Sequence, residues 1–183
     1  FGTHETLVGN LATDVDGTDH GGIRWFEVRR LSGGNWYLYQ EGTYAPDTDH
    51  RWLGSIAMDG SGNIALGYSV SSVSTFPSIR YTGRLDNDPF GTLPQGEYSL
   101  AAGTAANSSN RWGDYSSMNV DPADGCTFWY TNDYVDSVNG RQTRIGSFQF
   151  PACLSTDLAV TKAAHPDPVI AGDKLWFDIA VFN

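Results

Sequence analysis

Apolar and polar residues alternate along this chain in short runs. Gly22–Leu31, Asn35–Gln40, Asn63–Ser69, Ser78–Leu85, Glu97–Ala101, Cys126–Tyr130 and Arg141–Phe150 are rich in β-branched and aromatic residues. That composition suits half-buried strands. Turn signals separate the runs: Asp16-Gly17, Gly33-Gly34, Asp59-Gly60-Ser61-Gly62, Pro94-Gln95-Gly96, Asp124-Gly125 and Asn139-Gly140. Asp, Asn and Gly supply the local hydrogen bonds and positive φ that tight turns need. Nowhere do apolar residues keep the three-and-four spacing of an amphipathic helix. The pattern predicts an all-β protein.

The strands also repeat. Arg51-Trp52 recurs as Arg111-Trp112, and Met58 as Met118, both at an offset of 60. Gly42-Thr43 recurs as Gly103-Thr104. Two triplets occur three times each: Leu7-Val8-Gly9, Ala65-Leu66-Gly67, Phe128-Trp129-Tyr130, and Ile23-Arg24-Trp25, Ile79-Arg80-Tyr81, Thr143-Arg144-Ile145. A serial unit of about 60 residues and four strands is the blade of a β-propeller; the alternative is a β-sandwich with accidental repetition. The middle unit is predicted complete, with strands near 53–59, 63–70, 78–85 and 97–102. The first unit shows only its last three strands and the third only its first three. The expected fold is therefore a partial propeller of about three four-stranded blades, the first and last incomplete, over residues 1–153. A propeller has at least about four blades, so the chain is expected to be a piece of a longer protein. After Pro151-Ala152-Cys153 the character changes. Residues 154–183 hold two alternating stretches, Asp157–Lys162 and Leu175–Phe182, around His165-Pro166-Asp167-Pro168 and Gly172-Asp173. Two strands build no core of their own, so they read as the start of a second module.

Composition narrows the function. Of 183 residues, 17 are Asp against 4 Glu, and 9 are Arg against 2 Lys. Asp belongs in turns, whereas Glu and Lys populate helix faces. A net charge of −10 argues against nucleic acid, which needs a basic surface. The longest apolar runs are too short for a helical membrane span.

Three groups of residues could carry chemistry. Arg51 and Arg111 precede the innermost strands of two units, with Asp114 close behind; Arg plus Asp could hold a sugar or a carboxylate. The alternative is an inter-blade salt bridge repeated because the architecture repeats. Arg24, Arg80 and Arg144 recur in mid-strand, where structural pairing is expected. Asp14, Asp16 and Asp19 alternate on a tight turn and could ligate Ca²⁺, although such a turn is more often simply solvated. Cys126 and Cys153 are the only cysteines. They fall at the same end of two antiparallel strands and are expected to pair, the alternative being two buried thiols. Gly67-Tyr68-Ser69-Val70-Ser71 lacks the second Gly of a nucleophile elbow. The four His show no zinc-protease spacing.

Two stretches carry a resemblance. Arg111-Trp-Gly-Asp-Tyr-Ser-Ser-Met-Asn-Val-Asp-Pro122 with Cys126–Tyr134, His50–Ser69 and Tyr81–Arg84 resemble a segment of large secreted bacterial proteins. This implies a secreted or cell-surface β-propeller. Asp157–Lys162 with Pro166–Gly172 resembles the start of the bacterial surface Ig-like repeat called domain of unknown function 11. It implies the first two strands of an Ig-like sandwich, usually one of a series forming a stalk. The expected function is a non-catalytic extracellular module for adhesion, carbohydrate or protein binding, or surface assembly. Its partners would be the remaining blades and further Ig-like repeats. The alternative is a sialidase-like glycoside hydrolase with its site at the channel mouth.

Overall fold

A computed structural model describes residues 3–113, 115–151, 153, 159–165, 174 and 176–182. They form twelve strands and no helix. The chain divides into two compact units, Phe1–Cys153 and Leu154–Asn183. In the first unit, β1 (His4–Asp14), β2 (Gly21–Leu31) and β3 (Tyr37–Tyr44) make one antiparallel sheet in the order β1-β2-β3. A second sheet runs β4 (His50–Met58), β5 (Ile64–Ser71), β6 (Ser78–Arg84) and β7 (Glu97–Ala101). A third is made by β8 (Ser117–Val120), β9 (Phe128–Asp136) and β10 (Gly140–Phe148), with β9 in the middle. None of these sheets closes on itself. In the second unit β11 (Ala159–His165) pairs antiparallel with β12 (Trp176–Phe182).

The second sheet lies between the other two, and β5 explains why. Its sequence, Ile64-Ala65-Leu66-Gly67-Tyr68-Ser69-Val70, is buried on both faces. Side chains alternate across a strand. Ile64, Leu66, Tyr68 and Val70 therefore share one cluster with Ile23 and Trp25 of β2. Ala65 and Ile79 share the other with Met118, Phe128, Tyr130 and Phe150. Each large side chain so buried contributes about 1.5–3 kcal/mol. Gly67 sets the closeness of the second contact. A Cβ there would stand 2.3 Å from the Tyr130 ring.

The ladders correct two details of the repeat. Gly67 pairs with Tyr81, whereas Asn10 pairs with Trp25 and Thr131 with Ile145. Superposing the Ile-Arg-aromatic strands thus aligns Val8 with Ala65 and Trp129, one position away from the triplet match. Likewise Met58 pairs with Ile64 while Val120 pairs with Phe128. Val120, not Met118, stands at the place of Met58. The turns agree: Asp59 accepts the Ser61 amide and Asp121 accepts the Ala123 amide, each at the same point after its strand.

With this register the sheets stack in one sense. Ile23 and Trp25 face the second sheet, and their counterparts Ile79 and Tyr81 face the third. Each sheet presents the same face to the one that follows it.

Candidate functional site

Arg51, at the start of β4, is fully buried. All five of its N–H groups are spent on protein acceptors. Nη1 and Nη2 donate to the two carboxylate oxygens of Asp47 at 2.8 and 3.0 Å. Nε and Nη2 donate to Glu97 Oε1 at 3.0 and 2.8 Å, and Nη1 also reaches the Asp49 carbonyl at 2.9 Å. Glu97, on β7, further accepts the Tyr68 hydroxyl at 2.6 Å and Arg80 Nη1 at 2.8 Å. Hydrogen bonding to Arg51 holds the Asp47 carboxyl below the usual carboxylate range. Burial raises the Tyr68 hydroxyl well above the usual phenol range. The network closes on itself and leaves the Arg51 guanidinium no donor for a ligand. The pairing lies within the second sheet and the segment before it, not between sheets, and so differs from the inter-blade salt bridge expected as the alternative.

The recurrent arginines repeat part of this scheme. Arg80 on β6 pairs with Glu97 on β7, and Arg24 on β2 pairs with Glu41 on β3 at 2.6 Å. Both link the same two strand positions of successive sheets. Arg144 on β10 is exposed.

Trp52 and Trp112 meet with ring centroids 6.1 Å apart, and the Trp112 indole N–H donates to the Ser69 hydroxyl at 3.0 Å. Arg111 is exposed on the segment before β8, its amide donating to the Ser109 hydroxyl. Asp114 lies outside the described residues. A shallow cavity of about 290 Å³ is lined by Thr13, Asp14, Asp19, Gly21, Arg51 and Trp52 among others. It thus joins the acidic turn to the start of β4.

Within that turn the carboxylates of Asp14 and Asp16 accept local hydrogen bonds. Asp14 accepts the amides of Asp16, Gly17 and Asp19 at 3.3, 2.9 and 3.4 Å. Asp16 accepts the hydroxyl and amide of Thr18 at 2.6 and 2.9 Å, which holds its carboxyl below the usual range. Among the described residues no group of three or more His, Cys, Asp or Glu side chains is placed to hold a metal ion. Asp124 and Asp136 accept turn amides in the same way. The Asp excess is therefore largely turn chemistry.

Cys126 and Cys153 form a disulfide with Cα atoms 5.6 Å apart. It fastens the segment after β10 to the turn before β9. Beside it the Ser61 hydroxyl approaches Cys153 Sγ at 3.6 Å, and the Gly60 amide donates to the Gly125 carbonyl at 2.7 Å. The cross-link therefore sits where the second and third sheets meet.

A second cavity, of about 460 Å³, is lined by Arg29, Tyr39, Asp86, Asn87, Asp88 and Phe90. That is within the range of small-ligand sites, about 300–1,000 Å³. Tyr39 and Phe90 meet edge to face at 5.0 Å, and the Arg29 guanidinium lies 3.5 Å from the Tyr39 ring centre. Phe90 is 63% exposed. The 86–90 loop is held from beneath by buried Arg84, which donates to the carbonyls of Asp86 and Asp88 at 3.3 and 2.6 Å. Asp88 Oδ2 in turn accepts the Leu85 amide and the Gln95 side-chain amide. The aromatic partners arrive from a different sheet, and no local motif announces them. Comparison with family models, with curated proteins and with solved structures finds no match for this chain.

Proposed function

We propose that this chain is a non-catalytic extracellular or cell-surface module that binds carbohydrate in the Arg29–Tyr39–Phe90 groove. In this reading the three sheets are successive blades of a β-propeller, and residues 154–183 begin an Ig-like stalk. The observation that carries it is the pairing of an exposed aromatic edge with two carboxylates, that of Asp88 held by hydrogen bonds, and an amide in one groove. Sugar rings present C–H faces that stack on aromatic side chains. Their hydroxyls need acceptors and donors, which carboxylates, Asn and Arg provide. The loop held by Arg84 is ordered before any ligand arrives, so little entropy is lost on binding. The disulfide supports an oxidising compartment. The saturated Arg51 network supports a structural role for that arginine over a hydrolase anchor.

The test is a glycan panel probed with the intact chain, followed by titration calorimetry on any retained sugar. Phe90→Ala should weaken binding about tenfold, the equivalent of about 1.4 kcal/mol of stacking. Asp86→Asn should weaken it through the hydroxyl contacts. If no glycan is retained, or both variants bind as the parent does, the proposal fails.

A further inference from the structure

The disulfide sits at one end of a hairpin, and the ladder shows which end. β9 and β10 pair antiparallel from Gly140↔Asp136 at the turn to Phe148↔Phe128 at the mouth. The chain enters β9 and leaves β10 at that mouth. Cys126 lies just before Phe128 and Cys153 just after Phe148. Their Cα atoms are 5.6 Å apart, so the bond joins the two legs of the hairpin where it opens.

This placement decides how the first unit meets a pull. The chain runs on from Cys153 into the second unit, Leu154–Asn183, so tension on that unit enters the first along the backbone at Cys153. Without a cross-link the pull would reach Phe148 and draw it away from Phe128. A hairpin drawn apart at its mouth opens like a zipper. Its bonded pairs bear the load one at a time, and each hydrogen bond is weak alone. The same segment carries Phe128, Tyr130 and Phe150, which share a buried cluster with Ala65 and Ile79 of the second sheet. Opening the hairpin would therefore strip one side of the middle sheet. With the disulfide closed, tension passes from Cys153 to Cys126 through covalent bonds and bypasses the hairpin. It then reaches the turn before β9, where the Gly125 carbonyl accepts the Gly60 amide from the turn between β4 and β5 at 2.7 Å.

We propose that Cys126–Cys153 is a mechanical clasp, which carries tension from the second unit past the β9–β10 hairpin and keeps the third sheet seated on the second. This role is separate from lowering the entropy of the unfolded chain. It needs the bond at the mouth of this hairpin, and it acts only under load. It does not depend on what the Arg29–Tyr39–Phe90 groove binds.

Single-molecule force spectroscopy tests it on the whole chain, held by its two ends at a constant force that the oxidised first unit withstands. The closed loop spans a sequence separation of 27 across 5.6 Å, so at about 3.5 Å per residue its opening lengthens the chain by up to about 9 nm. Adding a thiol reductant should produce that step, followed later by a separate step for the rest of the first unit. The oxidised chain at the same force should show no such step. Cys126→Ser/Cys153→Ser gives the same comparison without reagent. Hydrogen exchange of the unloaded chain supplies a second reading. The β9 and β10 amides should stay protected after reduction, because without tension the hairpin holds. The proposal is overturned if the reduced hairpin yields only together with the rest of the unit, or if the oxidised chain shows the hairpin step. Amides exposed by reduction at zero load would also overturn it, and would make the bond a staple of stability alone.

Discussion

Removing the Glu97 carboxylate is the sharpest perturbation of the buried ion network. Glu97 accepts four hydrogen bonds, two from Arg51 and one each from Tyr68 and Arg80. Arg51 has no exposure to water, and the Glu97 side chain has 17%. Glu97→Ala leaves two Arg51 donors and the Tyr68 hydroxyl without their Glu97 acceptor inside the second sheet. Breaking one side of a buried pair costs about 3–5 kcal/mol, a large share of a whole domain stability of about 5–15 kcal/mol. For a unit of this size that lowers Tm by roughly 2–4 °C for each kcal/mol. Asp47, whose side chain is 49% exposed, should matter less, near the value of about 1 kcal/mol for solvated pairs. The assay is urea unfolding at neutral pH, followed by tryptophan fluorescence. The double variant Arg51→Met/Glu97→Leu should recover part of the loss, since apolar replacement of a whole buried pair is often neutral. A Glu97→Ala loss below about 1 kcal/mol, the solvated-pair range, would refute the reasoning. So would strictly additive single and double variants.

Reduction of Cys126–Cys153, or replacement of both by Ser, should cost about 3.5 kcal/mol by loop entropy for a sequence separation of 27. Denaturant midpoints with and without reductant measure it. Asp16, Asp47, Asp124 and Asp136 all have carboxyl pKa values lowered by hydrogen bonds in the folded state. Their stabilisation is present above the unfolded pKa of about 4 and disappears as pH falls through the lowered values, so acid unfolding followed by circular dichroism should begin below that pH. Burial raises the phenols of Tyr68 and Tyr130. Stability should fall as pH rises above about 10, where tyrosines of the unfolded chain ionise, with tyrosinate absorbance appearing together with unfolding. Gly67→Ala places a methyl 2.3 Å from the Tyr130 ring and should cost about 1–3 kcal/mol as overpacking. Tyr130→Leu in the same chain should relieve part of that.

Strands and turns were legible because their chemistry is local. Asp-Gly and Asn-Gly mark turns, and β-branched or aromatic runs mark strands. The division into three, four and three strands was legible for the same reason. Register was not. β5 is apolar on both faces, so the alternation that normally fixes register is absent from Ile64–Val70, and the triplet match slipped by one residue. The Arg51 network was hidden by sequence distance, with Glu97 lying 46 residues away. The disulfide was within reach because antiparallel pairing brings Cys126 and Cys153 to one end of the sheet. The groove was out of reach, since Tyr39 and Phe90 come from different sheets and neither sits in a motif.

The central claim is that the Arg29–Tyr39–Phe90 groove binds sugar without cleaving it. Amide chemical-shift mapping of the intact chain, titrated with a retained oligosaccharide and followed by mass spectrometry of that sugar, tests it most directly. The account predicts shifts centred on Arg29, Tyr39 and the 86–90 loop, and an unaltered sugar after prolonged incubation. Shifts centred on Arg111 and Trp112, or appearance of a shortened sugar, would contradict it.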